Sequence, residues 1–226
     1  MMFADRDDAA KRLAIALSEY RDRNPLVLAI PRGAVPMAKI IADELNGELD
    51  VVLVHKLGAP GNPEFAIGSV DETGWAYVAD YADRVGAGKE YIKKEVERQL
   101  EVIRQRRSQY TPVRPPIDPS GRIVIVVDDG LATGSTMISA LHALKSKKPA
   151  EVICAVPVAP PDTVEKVSAT ADRVVCLSQP INFHAVAQFY REFPQVTDEE
   201  AIAVLSAAGH PIKNKLQEKN HDSGLY

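Results

Sequence analysis

IVIVVDDGLATGST, residues 123–136, is the stretch whose reading decides the fold. It opens on five consecutive β-branched residues, Ile123 to Val127. A strand with one solvated face alternates apolar and polar residues, so an unbroken run marks a strand buried on both faces of a parallel sheet. Asp128 and Asp129 close the strand, and a loop of small residues follows: Gly130, Ala132, Thr133, Gly134, Ser135 and Thr136. A helix then runs to about Lys145 with Met137, Leu141 and Leu144 turned inward. The first N–H groups of a helix have no intrahelical partner and carry the positive end of its dipole. A loop without bulky side chains lets a phosphate reach those donors, and Thr133, Ser135 and Thr136 add hydroxyls. Two carboxylates repel a phosphate, so Asp128 and Asp129 should face another part of the ligand, either the vicinal hydroxyls of a sugar or a divalent cation. The stretch therefore predicts a sugar-phosphate site.

Other phosphate motifs fail on this stretch. A P-loop needs Lys directly before its Ser or Thr, and Gly134 is followed by Ser135. The G-x-G-x-x-G turn of a dinucleotide site is absent. A phosphohydrolase using the acidic pair is a weak reading, because Asp128 and Asp129 are adjacent rather than spaced Asp-x-Asp.

Working outward, 226 residues suit one α/β domain with a modest appendage, and a 46% hydrophobic fraction suffices for its core. A net charge of −4 argues against general nucleic-acid binding. No apolar run is long enough to span a bilayer, and the charged start MMFADRDDAAKRLA is not a secretory signal, so a cytoplasmic location is expected. Cys154 and Cys176 fall in predicted strands and read as core thiols.

In chain order, the pattern predicts a helix over 5–20 and a buried strand over Leu26–Ile30. The turn Pro31-Arg32-Gly33-Ala34-Val35-Pro36 follows, then a helix from about Met37 to Leu45. Gly33 at a strand tip lets backbone amides face a ligand, and Arg32 adds a permanent forked cation. Asp50–His55 reads as the second buried strand, with Lys56 at its C-terminal end and His55 as a packed or surface histidine. Leu57 to Glu64, dense in Gly and Pro, reads as irregular, and Phe65–Val70 with Trp75–Ala79 as a hairpin around Asp71–Gly74. A long amphipathic helix over 88–110 carries Ile92, Val96, Leu100 and Ile103 as a stripe, and its Arg104, Arg106 and Arg107 read as a solvated helix end. After a Pro-rich connector come the central strand, a strand over Glu151–Val158, a short helix over Pro161–Ala169 and a strand over Arg173–Leu177. Five buried strands alternating with helices give a doubly wound, mainly parallel sheet, whose ligands bind beyond the strand C-termini. Arg32, Lys56 and the 128–136 loop all lie at such ends. From Pro180 the chain turns aromatic, with Phe183, Phe189, Tyr190 and Phe193, and Thr197-Asp198-Glu199-Glu200 reads as a helix start leading into Ala201–Ala207.

Val124 to Thr136 resembles the phosphoribosyl-pyrophosphate signature of type I phosphoribosyltransferases, and the chain is most similar to stand-alone bacterial members without an assigned base. The segments Pro31–Pro36, Asn62–Gly68 and Phe189–Phe193 extend the resemblance over most of the length. It implies a five-stranded core over 1–180 with a mobile loop and hairpin at 57–80, a hood that receives the acceptor at 181–211, and a polar tail at 212–226. It implies phosphoribosyl pyrophosphate as donor, a small heterocyclic base as acceptor, Mg²⁺ as cofactor and a homodimer, with no nucleic acid or membrane partner. Arg32 and Gly33 would bind pyrophosphate, in a loop that often holds a non-proline cis peptide, here at Pro31–Arg32. Lys56 would reach the same group, and Glu64 or its loop would help exclude water. Ala132 to Thr136 would anchor the 5′-phosphate; Asp128 and Asp129 would hold the ribose hydroxyls and the metal, directly or through water. Phe183 or Tyr190 would stack on the base. Purine-salvage members carry an Asp before the Thr-Gly of this loop, and Ala132 stands there instead, which argues against hypoxanthine or guanine. The rival reading is a non-catalytic regulator that binds phosphoribosyl pyrophosphate. Regulators on this fold carry an added DNA-binding domain or a basic RNA face, and no helix-turn-helix pattern precedes the core.

Overall fold

The computed structural model describes residues 1–208, with the side chain of Glu64 excepted. The tail over 212–226 lies outside the described residues. A parallel sheet of five strands runs in the order β2-β1-β6-β7-β8, formed by β1 (Leu26–Ala29), β2 (Glu48–Val51), β6 (Ile123–Val127), β7 (Glu151–Val158) and β8 (Arg173–Ser178). A second, antiparallel sheet holds β3 (Val54–Ala59), β4 (Asn62–Asp71) and β5 (Ala76–Val78). The helices are α1 (Arg6–Ala16), α2 (Ala34–Leu45), α3 (Lys89–Tyr110), α4 (Ser135–Lys145), α5 (Pro161–Ser168) and α6 (Asp198–Ala207).

The central strand β6 explains the layering. Its side chains alternate between faces. Ile125 and Val127 join a core with Val27, Ala29, Leu13 of α1 and Ile41 of α2. Val124 and Val126 join one with Leu28, Cys154, Met137 and Leu141 of α4, and Val167 of α5. Both cores are buried, which is why the run had to be apolar throughout. Cys154 and Cys176 are free thiols, the first buried and the second half-buried.

Two stretches depart from the sequence reading. Asp50–His55 is not one strand: β2 ends at Val51, and β3 starts at Val54 in the antiparallel sheet. The Val52 amide still donates to the Ala29 carbonyl, but the Leu53 amide turns to the Glu72 carboxylate at 3.4 Å. Val52 and Leu53 are both buried, so the turn between sheets has no polar signature. Leu57 to Glu64 is not irregular either. It is a β3–β4 hairpin closing at Pro60-Gly61, with Gly61 at φ +74° and register shifts on both sides of Gly58. A Cβ on Gly58 would sit 2.7 Å from the Pro63 backbone, so the bulge absorbs the residues that looked incompatible with pairing. The hairpin around Asp71–Gly74 is present, joining β4 to β5.

The small sheet is bound on two sides. Tyr91 of α3 donates to the Gly58 carbonyl at 2.8 Å, and Ser69 donates to the Ser135 carbonyl at 2.8 Å. Trp75 stacks on His142 of α4 at 3.5 Å. Smaller adjustments occur at helix ends. α1 stops at Ala16 before a 3₁₀ turn over Ser18–Tyr20. α2 starts at Ala34, because Pro36 lies in its first turn, where no backbone donor is required.

The end of the described chain returns to its beginning. The Phe3 amide donates to the Phe189 carbonyl at 2.8 Å, and the Arg191 amide to the Phe3 carbonyl at 3.0 Å. α6 then buries Ala201 and Leu205 against the core. Thr197 and Glu200 form its capping box: the Thr197 hydroxyl accepts from the Glu200 amide at 3.1 Å, and the Glu200 carboxylate accepts from the Thr197 amide at 2.8 Å. Thr197→Ala should cost about 1 kcal/mol in urea unfolding. An unchanged midpoint would show that α6 does not depend on its cap.

Candidate active site

The C-terminal ends of β1 and β6 and the start of β3 open into one cleft of about 430 Å³. Arg32, Gly33, Lys56, Asp128, Asp129, Ala132, Thr133, Gly134, Ser135 and Thr136 all line it. The parallel strands explain part of this convergence, since β1 and β6 are hydrogen-bonded neighbours that end together. Lys56 arrives differently. It is carried by β3, opposite Ser69, rather than by the end of a parallel strand.

The small-residue loop is held from outside the cleft. Thr163 of α5 donates to the Ala132 carbonyl at 2.7 Å, and a Cβ on Gly134 would come within 2.9 Å of the Thr163 methyl. Gly134 caps α4 at φ +76°, a conformation that suits glycine. The Thr133 and Ser135 hydroxyls lie 3.2 Å apart. The first amides of α4 therefore face a rigid small-residue rim.

The acidic pair is asymmetric. Among the described residues, Asp128 Oδ1 accepts from the adjacent Asp129 amide alone, at 2.9 Å. Burial, reinforced by the charge of Asp129, holds its carboxyl well above the usual aspartate range. Asp129 Oδ2 accepts from Arg6 Nε at 3.0 Å and Nη2 at 2.8 Å. Burial raises this carboxyl too, and Arg6 opposes it. A Cβ on Gly33 would collide with Asp129 Oδ2, so the glycine in the first turn leaves room for the carboxylate as well as for a ligand. Arg6 also donates to the Pro194 carbonyl at 2.5 Å and lies 3.8 Å above the Phe193 ring. No local pattern marks an arginine in the first turn of an N-terminal helix as a partner of residue 129.

The aromatic segment takes a different role from base stacking. Tyr190 is buried, donates to the Asp129 carbonyl at 2.6 Å, and packs against Phe3 and Phe193. Phe183 stacks on Phe189 with centroids 5.4 Å apart. Neither Phe183 nor Tyr190 lines the cleft; Val186 does, seated on Gly130, whose added Cβ would lie 2.6 Å from a Val186 methyl. The aromatic residues brace the strand end instead.

Residues 5–194 match the sequence model of the phosphoribosyl transferase domain. The chain belongs to the phosphoribosyltransferase family. Two curated relatives from Mycobacterium tuberculosis strains, "Putative phosphoribosyl transferase Rv0571c" and "Putative phosphoribosyl transferase MT0597", are each 39% identical to it over 208 residues. These matches take in 92% of this chain and 47% of each relative, so the chain spans about half their length. The solved structure of TT1426 from Thermus thermophilus is similar at a TM-score of 0.79 and 46% identity, over 93% of this chain and 100% of that one.

In this member of the family the Pro31–Arg32 peptide is cis, as the resemblance implied. Arg32 Nη1 lies 3.4 Å from Asp198 of α6. The arginines of α3 are not a solvated helix end. Arg107 turns inward to Glu72 at 2.6 Å and to the Val51 carbonyl at 3.3 Å, Arg106 lines the cleft, and Arg104 stays exposed beside Glu101. The last turn of α3 carries Arg107 to both Val51 of β2 and Glu72 of the β4–β5 turn, a bridge its amphipathic pattern does not reveal. His55 also lines the cleft, and its burial, with Arg106 nearby, holds its imidazole below its usual range, so it is neutral at pH 7.

Among the described residues no cluster of three or more His, Cys, Asp or Glu side chains could hold a metal. The acidic pair nevertheless suits Mg²⁺, which commonly binds through one or two carboxylates plus water and substrate oxygens. Asp128 and one oxygen of Asp129 are the donors left by Arg6. No helix among the described residues is long and apolar enough to cross a membrane.

Proposed function

We propose that this family member binds 5-phosphoribosyl 1-pyrophosphate with Mg²⁺ and transfers the phosphoribosyl group to a nitrogen of a small heterocyclic acceptor, releasing pyrophosphate. The observation that carries the reading is the meeting of the phosphate loop, the acidic pair and the cations Arg32 and Lys56 in one cleft. The loop over Ala132–Thr136 receives the 5′-phosphate on the first amides of α4. Asp128 and Asp129 accept from the ribose hydroxyls and so set the position of C1. The bond from C1 to the pyrophosphate oxygen breaks with its electron pair going to pyrophosphate, the acceptor nitrogen bonds C1, and its proton passes to solvent water. Arg32 and Lys56 offset the charge of the leaving group, and bound Mg²⁺ would share that task. Most of the rate gain then comes from positioning and charge stabilisation. Ala132 places no carboxylate beside the acceptor, so the reading does not extend to hypoxanthine or guanine. A cytoplasmic homodimer is part of the same proposal, by resemblance.

Calorimetric titration with phosphoribosyl pyrophosphate, with and without Mg²⁺, tests it. The wild type should bind saturably, and Ser135→Ala–Thr136→Ala should bind about 10- to 100-fold more weakly, as charge-assisted hydrogen bonds are lost. Folded wild type that fails to bind at millimolar ligand would overturn the reading.

A further inference from the structure

α3 carries four arginines, and three of them have carboxylate partners. Arg98 meets Glu95 at 2.7 Å, Arg104 meets Glu101 at 3.5 Å, and Arg107 meets Glu72 at 2.6 Å. Arg106 has no hydrogen-bond or ion-pair partner among the described residues, although it is half-buried and forms part of the cleft wall. Its neighbours there increase the charge. It lines the cleft with Arg32 and Lys56, and both it and Arg32 act on the phenol of Tyr110. Of the three cleft cations, Arg32 is at ion-pair distance from a carboxylate among the described residues, the half-exposed Asp198 at 3.4 Å. Lys56 acts on Asp128 from across the cleft.

A half-buried guanidinium beside other cations, with no ion-pair partner among the described residues, is unfavourable. An anion with several charges would relieve it, and a guanidinium fork suits phosphate oxygens. Resting on the reading of the preceding subsection, we propose that Arg106 is a third cation of the leaving-group subsite, delivered by α3, and that it makes the cleft take a diphosphate rather than a monophosphate at C1. Arg32 comes from the turn after β1, Lys56 from β3 and Arg106 from α3, so three separate elements bring the cations to one cleft.

The test is competition calorimetry with three probes, pyrophosphate, inorganic phosphate and ribose 5-phosphate, on the wild type and on Arg106→Gln, Arg106→Lys and Arg104→Gln. Arg104 is exposed two residues away, so its variant makes the same change of net charge outside the cleft. Arg106→Gln should weaken pyrophosphate binding about 10- to 100-fold, as expected for loss of a charge-assisted pair, and leave ribose 5-phosphate within about two-fold. Inorganic phosphate should lose less than pyrophosphate, Arg106→Lys should recover part of the loss, and Arg104→Gln should bind like wild type. Unchanged pyrophosphate binding in Arg106→Gln, alongside normal ribose 5-phosphate binding, overturns the proposal while sparing the phosphoribosyl site. Equal losses for all three probes, or an equal loss in Arg104→Gln, reduce Arg106 to a general field effect and overturn it too. A wild type that binds none of the probes overturns the phosphoribosyl reading itself.

Discussion

An Arg6→Met protein is expected to unfold about 3 kcal/mol more easily than the wild type and to lose most of its affinity for phosphoribosyl pyrophosphate. The magnitude follows from leaving one member of a buried ion pair without its partner, which costs about 3–5 kcal/mol when the burial is complete. Here the side chains of Arg6 and Asp129 keep 10% and 17% exposure, so the lower end applies. Four contacts disappear together: both bonds to Asp129 Oδ2, the bond to the Pro194 carbonyl and the stack on Phe193. Asp129 then lacks the charge that opposes its burial, and its carboxyl rises further. The double variant Arg6→Met–Asp129→Asn should recover most of the lost stability, because the buried charge is gone, but none of the affinity. Urea unfolding of the four proteins in the cycle measures the coupling. An additive cycle would mean that Arg6 stabilises through Pro194 and Phe193 alone.

Asp128→Asn is expected to act in the opposite direction on stability while abolishing transfer. Burial and the neighbouring Asp129 hold the Asp128 carboxyl well above the usual aspartate range in the folded protein. The folded state therefore binds this proton more tightly than the unfolded state does. The stability contribution is complete below the unfolded-state value and is lost as the pH rises through the folded-state value. Asparagine keeps the acceptor for the Asp129 amide and carries no charge to desolvate. The variant should match the wild type near pH 4 and exceed it by about 1–2 kcal/mol at pH 8, with a flatter pH profile. Transfer from phosphoribosyl pyrophosphate should fall at least about 100-fold, since the ribose loses a charged acceptor and C1 its position. Wild-type stability that rises between pH 5 and pH 8, with the variant parallel to it, would show that the acidic pair costs the fold nothing.

The two variants also separate what was legible along the chain from what was not. The central strand, the acidic pair and the loop to Thr136 are consecutive, and each announces its structure by a local rule: a β-branched run, two charges at its end, small residues before a helix. These rules arise from backbone and side-chain chemistry within a few residues, so they survive without knowledge of the fold. The parallel direction of the strands, with Arg32 and Asp128 both at C-terminal ends, follows from the same alternation of strands and helices, whereas the adjacency of β1 and β6 is set by the sheet.

The split of Asp50–His55 between two sheets was hidden, because Val52 and Leu53 are buried on both sides of the break and look like uninterrupted strand. The hairpin at Pro60-Gly61 was hidden because bulges let Gly58 and Pro63 enter a ladder that their propensities oppose. Arg6 and Arg106 were ordinary surface-type residues on amphipathic helices until packing brought α1 to Asp129 and set α3 along the small sheet at the cleft. Tyr190 and Phe193 had the composition of a stacking surface, yet the pairing of 189–192 with the first residues of the chain turned them onto the Asp129 backbone and Arg6. The sequence alone determined the central strand, the acidic pair and the small-residue loop, because those groups are contiguous and obey short-range rules. Only the tertiary structure decided which distant cations and rings complete them, because an ion pair across 123 residues depends on the packing of whole elements and leaves no periodic trace in the chain.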